Sequence, residues 1–178
     1  MISLLDKYIY IKRKAFSKDQ CNGIIDFFER SEQEENYRGY VGVYQNLNTS
    51  QNLFIKNILT ENIENYIKKH KFLKTLYVPW GVSTPFHIQK YLPKNSYAAE
   101  HMEHGCHSDD CKRILAWMFY LNDIKRAGGT CWPQQNFISK PRAGDLYIWP
   151  AGWTHSHHGI SAPNETKYII TGWFELYP

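Results

Sequence analysis

Ile114-Leu-Ala-Trp-Met-Phe-Tyr-Leu121 is the longest apolar run in this chain of 178 residues. It is far shorter than the roughly 20 residues that span a bilayer, and it has the length of a buried strand. Six further short runs are rich in aromatic and β-branched residues, with Pro, Gly, Asn and Lys between them. These runs cover residues 86–91, 97–103, 137–139, 145–149, 154–158 and 167–176. Seven short strands separated by turn signals predict an all-β sandwich or barrel.

The segment before residue 76 has helical patterning instead. Ser17 followed three residues later by Gln20 is a capping-box pattern, and apolar residues continue at helical spacing to about Arg30. A second apolar helical face runs from about residue 49 to residue 70. Residues 31–49 between the helices are polar and turn-rich, and our hypothesis is that the segment from Glu32 to Asn48 forms a lid over a cleft.

Length and composition predict one mainly β (α+β) domain. Because a typical domain has about 100–200 residues, we expect residues 1–178 to form a single unit. We expect a helical part over about 1–75 and a β part over about 76–178, with the two helices packed on one sheet. Hydrophobic residues are 43% and aromatic residues 16%, which excludes an intrinsically disordered chain.

Charge and cysteine usage exclude several other classes of protein. The net charge of +4 is a mild excess, without the basic stripe of a nucleic-acid-binding protein. The four cysteines are unevenly spaced and do not resemble the framework of a small disulfide-rich secreted domain. The first 13 residues lack the apolar core of a signal peptide. We therefore expect a soluble, cytoplasmic protein that binds neither nucleic acid nor a membrane.

Histidines are concentrated in two groups. They lie in Glu100-His-Met-Glu-His-Gly-Cys-His-Ser-Asp-Asp-Cys111 and in Trp153-Thr-His-Ser-His-His-Gly159. Residues i and i+2 of a strand point to the same side, so His101 and Glu103 are expected to face one way, and His107 and Asp109 could do the same. One His from the second group would complete the set of two His and one carboxylate that binds non-haem Fe(II). The ligand types alone do not distinguish iron from zinc.

Six blocks between about residue 85 and residue 176 carry a family resemblance. They are Ile88-Gln-Lys-Tyr91 leading through Tyr97 to His101-Met-Glu103, then Arg113 to Asp123, Gly128-Gly-Thr130, Pro141-Arg-Ala-Gly144 to Pro150, Trp153 to Gly159, and Lys167 to Trp173. In this order, without large gaps, the blocks resemble those of the 2-oxoglutarate- and Fe(II)-dependent oxygenases. The resemblance is to the prolyl-4-hydroxylase-like branch and its small phage-type members. It therefore suggests that a virus encodes this protein.

The resemblance implies a fold, a reaction and cofactors. The fold would be a double-stranded β-helix (jelly roll), in agreement with the seven predicted strands. The enzyme would be a 2-oxoglutarate-dependent dioxygenase that uses Fe(II) and O₂, releases succinate and CO₂ and hydroxylates a C–H bond. Ascorbate is the candidate reductant. A prolyl side chain of a protein or peptide is the candidate substrate, small molecules stay open, and no pattern indicates the oligomeric state.

His101 and Glu103 match the first ligand pair of the family. Arg113 follows Glu103 by ten residues, which fits the small members. Glu103 departs from the family because most members have Asp at this position. The extra methylene puts the position and strength of metal binding in doubt. The pair at 107 and 109 restores the Asp but leaves only three residues before Arg113, and it stays open as the alternative.

The resemblance also assigns the distal ligand and the cosubstrate pocket. His157 stands ten residues before Lys167, the offset that the family prefers between the distal His and the basic residue that binds 2-oxoglutarate. His155 is the alternative distal ligand. Lys167 would bind the far carboxylate of 2-oxoglutarate, Tyr120 would supply a hydroxyl beside it, and Tyr91 would line the same pocket.

A non-catalytic jelly-roll module that binds zinc is the alternative function. Cys106 and Cys111 bracket His107, with His104 nearby. Structural zinc takes four ligands, usually as two short-spaced pairs, and the sequence offers no second pair. A metal-free binding domain of the same fold is the third interpretation, and the two histidine groups argue against it.

Overall fold

A computed structural model describes residues 7–36, 39–105 and 110–177 of the chain. Within these ranges the protein has two α-helices, α1 (Lys18–Arg30) and α2 (Leu53–Lys69). The strands are β1 (Tyr10–Lys12), β2 (Glu34–Asn36), β3 (Tyr40–Gln45), β4 (Trp80–Val82), β5 (Phe86–Tyr91), β6 (Arg113–Tyr120), β7 (Thr130–Trp132), β8 (Phe137–Ile138), β9 (Leu146–Pro150), β10 (His158–Gly159) and β11 (Lys167–Leu176). Neither helix in the described ranges is long and apolar enough to cross a bilayer.

The strands form two antiparallel sheets. The larger sheet has the order β1-β9-β6-β11-β5-β3-β2, with β4 also paired to β11. The smaller sheet has the order β10-β7-β8. The central strand β11 pairs with β6 on one side, and with β5 and β4 on the other. The prediction of a mainly β protein with two helices is confirmed.

Capping chemistry decides where the helices begin. The Ser17 hydroxyl accepts the N–H of Gln20 at 3.1 Å, and the Gln20 side chain accepts the N–H of Ser17 at 2.8 Å, which is the predicted capping box. Helix α2 begins at Leu53, later than the apolar pattern suggested. Asn46 causes the delay because its carbonyl accepts the side-chain amide of Asn52 at 3.0 Å and holds the preceding residues in turns.

Both helices cover the same face of the larger sheet. Phe28 of α1 and Leu59 of α2 belong to one buried cluster with Trp117 and Phe119 of β6. Neighbouring residues of β6, such as Met118, point to the opposite face and a second cluster. Burying each large apolar side chain contributes about 1.5–3 kcal/mol, so the helix-covered face is a major source of stability. The other face of the sheet is left to form the site.

The segment 31–49 differs from its prediction as a polar loop. It contains β2 and β3, and β3 pairs with β5 from Val41 opposite Lys90 to Gln45 opposite Phe86. Its polar composition hid a period-2 pattern in which Val41 and Val43 pack against the helix-covered cluster. The segment is therefore an edge of the sheet, and the N-terminal part of the chain is not purely helical.

Two predicted strands around the histidine groups are also wrong. Residues 97–103 form no strand, and their one bridge pairs His101 with His157. The run 154–158 divides into a 3₁₀ turn, Trp153–His155, and the two-residue strand β10. Aromatic and histidine content suggested strands here, but continuous backbone pairing to a neighbour is missing, and pairing is what makes a strand.

Gly144 offers a test of this fold because its backbone has φ of +81° and an added Cβ would lie 2.2 Å from the carbonyl oxygen of Phe16. We expect Gly144→Ala to lower the free energy of unfolding by at least about 1–3 kcal/mol. Urea denaturation followed by circular dichroism measures this change.

Gly23→Ala is the matched control. Gly23 lies inside α1 with nothing within 4 Å of an added Cβ, so its replacement should raise stability by about 0.5–1 kcal/mol. Equal effects of the two substitutions would contradict the described backbone.

Candidate metal and cosubstrate site

Three side chains converge in the cavity on the open face of the larger sheet. One donor atom from each of His101, Glu103 and His157 lies within 4.8 Å of the others. Glu103 Oε1 is 3.3 Å from His157 Nε2 and 3.8 Å from His101 Nε2. This is the only such group of three or more His, Cys, Asp or Glu side chains in the described parts of the chain.

Backbone hydrogen bonds hold the three residues together. The N–H of His101 donates to the carbonyl of His157 at 3.0 Å, and the N–H of His157 donates back at 2.9 Å. The N–H of Glu103 donates to the carbonyl of Ala151 at 3.0 Å. The two histidine segments are distant in sequence, and these bonds fix them against each other without a continuous strand.

The imidazole tautomers suit a metal ion. Nδ1 of His101 is 2.9 Å from the carbonyl oxygen of Ala99, and Nδ1 of His157 is 3.0 Å from that of His155. A carbonyl oxygen only accepts, so each Nδ1 carries a proton and each Nε2 points into the cluster, where a bound metal ion would replace the Nε2 proton. Backbone bonds of this kind orient metal-binding histidines in many proteins.

Glu103 is a half-buried carboxylate that stays ionised. Burial by itself would raise its pKa, but the hydrogen bond and charge of His157, the charge of His101 and the hydrogen bond from Trp173 together hold the pKa at about 2. Trp173 Nε1 donates to Glu103 Oε2 at 2.8 Å. A carboxylate and two imidazoles make a donor set that fits Fe(II) or another divalent ion.

Lys167 lies in the same cavity, which has a volume of about 260 Å³. Its side chain is buried, at 4% exposure, and Nζ donates to the carbonyl of Gly128 at 3.0 Å. Nζ also lies 4.7 Å from the centroid of the Tyr91 ring. Burial lowers the pKa of Lys167 to about 8. In the described part of the chain Lys167 has no ion pair, so the cavity holds a buried cation suited to an anionic ligand.

Tyr120 is placed differently from the other two predicted pocket residues. Tyr91 and Lys167 line the cavity, whereas Tyr120 is fully buried and does not. Its hydroxyl lies 2.6 Å from Ser139 Oγ and 3.1 Å from Thr130 Oγ1. Thr130, which the Tyr120 hydroxyl contacts, is itself among the residues that line the cavity. Sequence reasoning overlooked Thr130, although it follows the Gly128-Gly129 pair directly.

The alternative ligands have different positions. His155 Nε2 is 2.9 Å from the carbonyl oxygen of Lys7, and its Nδ1 is 3.1 Å from the hydroxyl of Thr154. His155 is therefore not part of the three-residue cluster. The pair His107 and Asp109 lies outside the described residues, and so does most of the Cys106–Cys111 segment that suggested zinc.

Comparison with known proteins establishes the family. Residues 86–175, about half of the chain, match the 2OG-Fe(II) oxygenase superfamily. The chain therefore belongs to this superfamily, as the sequence blocks predicted.

Individual relatives carry more specific names. A protein of Acanthamoeba polyphaga mimivirus named "Putative prolyl 4-hydroxylase" is 28% identical over 153 residues, covering 75% of this chain. The alignment covers 60% of the mimivirus protein, so the chain matches less than two thirds of this curated relative.

Two solved structures share the fold. The viral collagen prolyl hydroxylase of Paramecium Bursaria Chlorella virus-1, solved as a 2OG complex, superimposes with a TM-score of 0.76 at 14% identity over 97% of both chains. A prolyl-4-hydroxylase of Pseudomonas putida superimposes with a TM-score of 0.72 at 15% identity, over 96% of this chain and 94% of its own. At these identities the likeness shows the fold alone.

Lys167→Met tests the burial of the cavity ammonium. The unfolded chain, with a lysine pKa near 10.5, holds the proton more tightly than the folded chain, with a pKa of about 8. The charge therefore costs stability below pH 8, and wild-type stability rises with pH between about 8 and 10.5. We expect the Met variant to be more stable at pH 7, by up to about 3 kcal/mol, with the difference shrinking across that window.

Denaturation at pH 7, 8, 9 and 10 measures this difference. Lys90→Met is the control, because Lys90 Nζ pairs with Glu29 at 2.9 Å and its replacement should bring no gain. A pH-independent difference for Lys167→Met would contradict the burial of an ammonium.

Proposed function

We propose that this chain is an Fe(II)- and 2-oxoglutarate-dependent dioxygenase that hydroxylates a C–H bond, built on a double-stranded β-helix. One observation carries the proposal: His101, Glu103 and His157 converge in a cavity that also contains the buried cation Lys167. Two imidazoles and one carboxylate on one side of a metal leave positions open for other ligands. The family to which the chain belongs supports this assignment.

His101, Glu103 and His157 are the residues that would hold the iron. When bound, Fe(II) supplies the redox chemistry by which 2-oxoglutarate and O₂ give succinate, CO₂ and a hydroxylated substrate. The protein supplies the two Nε2 lone pairs and an ionised carboxylate, already oriented by backbone bonds. Three protein ligands in a cavity favour this function over structural zinc, which uses four ligands in a closed site.

Lys167 would bind the far carboxylate of 2-oxoglutarate. Its ammonium is fixed by the Gly128 carbonyl and the Tyr91 ring, and it gains a full negative charge as partner. Thr130 supplies a hydroxyl at the cavity surface, and we propose that Tyr120 acts by holding Thr130 in place. Tyr91 would line the pocket, with its ring packed against the Lys167 ammonium.

The substrate we propose is a prolyl side chain of a peptide or protein. The names of the mimivirus, algal-virus and Pseudomonas relatives support this choice. Tyr40 and Tyr44 of β3 line the cavity and offer ring surfaces to an apolar substrate ring.

Ascorbate would serve as a reductant, and we propose a cytoplasmic, virus-encoded enzyme.

An anaerobic titration with Fe(II) and 2-oxoglutarate tests the ligand set. The wild type should develop the visible charge-transfer band of iron with bound 2-oxoglutarate. His101→Ala and His157→Ala should lose it because each removes one imidazole ligand. His155→Ala and His107→Ala should keep it, since neither residue is a ligand in this proposal.

Other outcomes would contradict the assignment. Loss of the band in His107→Ala with retention in His101→Ala would move the first ligand pair to His107 and Asp109. A folded wild type without any band would contradict the proposed enzyme. Succinate release with a set of proline-containing peptides then tests the substrate.

Lys167→Ala tests the cosubstrate anchor in the same titration. Removing a charge-assisted hydrogen bond should weaken 2-oxoglutarate binding by roughly 10- to 100-fold, while iron binding alone stays unchanged. Lys90→Ala is the control, because Lys90 pairs with Glu29 and is not among the residues that line the cavity. An unchanged 2-oxoglutarate affinity in Lys167→Ala would contradict this role.

A further inference from the structure

Glu103 uses its two carboxylate oxygens for different contacts. Oε1 faces the histidines, at 3.3 Å from His157 Nε2. Oε2 accepts a hydrogen bond from Trp173 Nε1 at 2.8 Å, which is a short, charge-assisted contact. Only one oxygen of the carboxylate is therefore directed at the centre of the cluster.

Arg113 stacks on the ring face of Trp173. The guanidinium carbon of Arg113 lies 3.6 Å from the centroid of the indole, in stacking contact. Arg113 NH1 also donates to the Glu103 backbone carbonyl at 3.3 Å, so one guanidinium contacts both the indole and the residue that the indole binds.

Acidic residues hold Arg113 in turn. Arg113 NH1 is 2.8 Å from Asp110 Oδ1, and Arg113 Nε is 3.6 Å from Glu175 Oε1 across the β6–β11 pair. The indole thus packs against a half-buried cation, and acidic partners before β6 and on β11 hold that cation.

The length of the glutamate side chain explains why a second contact to its carboxylate matters. Compared with an aspartate, Glu103 has one more rotatable bond and reaches about 1.5 Å further. Without a second contact, its carboxylate could rotate away from the histidines or turn both oxygens toward a metal. A hydrogen bond to Oε2 removes that freedom.

We propose that Trp173 is a positioning residue for the Glu103 carboxylate, whose indole N–H holds Oε2 so that Oε1 alone serves as a metal ligand. Arg113 supports it by stacking on the indole. The inference rests on the proposed function for the identity of the ligand set. It goes beyond that function because it explains how the long side chain of a glutamate is held in place within a three-residue metal site.

The metal affinities of the wild type and three variants test the proposal directly. The dissociation constant for Co²⁺ alone would be measured by calorimetry and by the visible d–d band in wild type, Trp173→Phe, Glu103→Asp and the double variant. Trp173→Phe keeps an aromatic ring for the Arg113 stack and loses the N–H together with part of the indole volume. We expect it to bind Co²⁺ about 10- to 100-fold more weakly, with a shifted d–d band.

The double variant separates positioning from general packing. An Asp at 103 is too short for the 2.8 Å contact, so Trp173→Phe in the Glu103→Asp background should change affinity by less than about threefold. Trp80→Phe is a matched substitution in β4 outside the cavity, and it should bind Co²⁺ like the wild type.

The possible failures are distinguishable. Wild-type affinity in Trp173→Phe, or an equal loss in both backgrounds, overturns the positioning role and leaves the dioxygenase assignment standing. Absence of Co²⁺ binding by the wild type overturns both.

A measurement on the native side chain covers the case in which Trp173→Phe fails to fold. Among the six indole N–H signals in the ¹H–¹⁵N spectrum, that of Trp173 should exchange slowly with solvent and lose this protection in Glu103→Asp. Identical exchange of all six in wild type and Glu103→Asp would also overturn the proposal.

Discussion

The two faces of strand β11 organise this protein. Because side chains alternate along a strand, Ile170 and Phe174 point into the cluster beneath the helices, while Lys167 and Trp173 line the cavity. Antiparallel partners on both sides fix the register of β11, and a shift of one residue would exchange the two faces. The same pairing that buries the core therefore places the Lys167 ammonium in the cavity and the Trp173 indole beside Glu103.

A second constraint joins the site across the chain. The reciprocal backbone bonds between His101 and His157 bring together two loops that no continuous ladder connects. Each imidazole then donates through Nδ1 to a nearby carbonyl, so backbone acceptors choose the tautomer. The proposed metal site is therefore built on loops that these backbone bonds anchor, and small changes in the anchoring are expected to alter metal affinity.

Glu103 and Lys167 carry opposite charges in the cavity and have different electrostatic surroundings. Glu103 remains an anion because its neighbours offset the cost of burial, whereas Lys167 is destabilised as a cation because it lacks such neighbours in the described residues. An anionic cosubstrate with a carboxylate at its far end would relieve the second cost. The cavity thus offers the cluster around Glu103 to a metal cation and, separately, the Lys167 ammonium to an anionic ligand.

Local patterns in the sequence predicted the capping box at Ser17, the limits of β5 and β11 and the family blocks, and those blocks in turn predicted a site of His101, Glu103, His157 and Lys167. These depend on contacts between near neighbours or on recognisable spacing. Tertiary structure alone decided that β3 forms an edge of the sheet, that Tyr120 lies behind Thr130, and that Trp173 binds Glu103. Each of these facts joins residues far apart in sequence, and only backbone pairing and side-chain packing determine which distant groups meet.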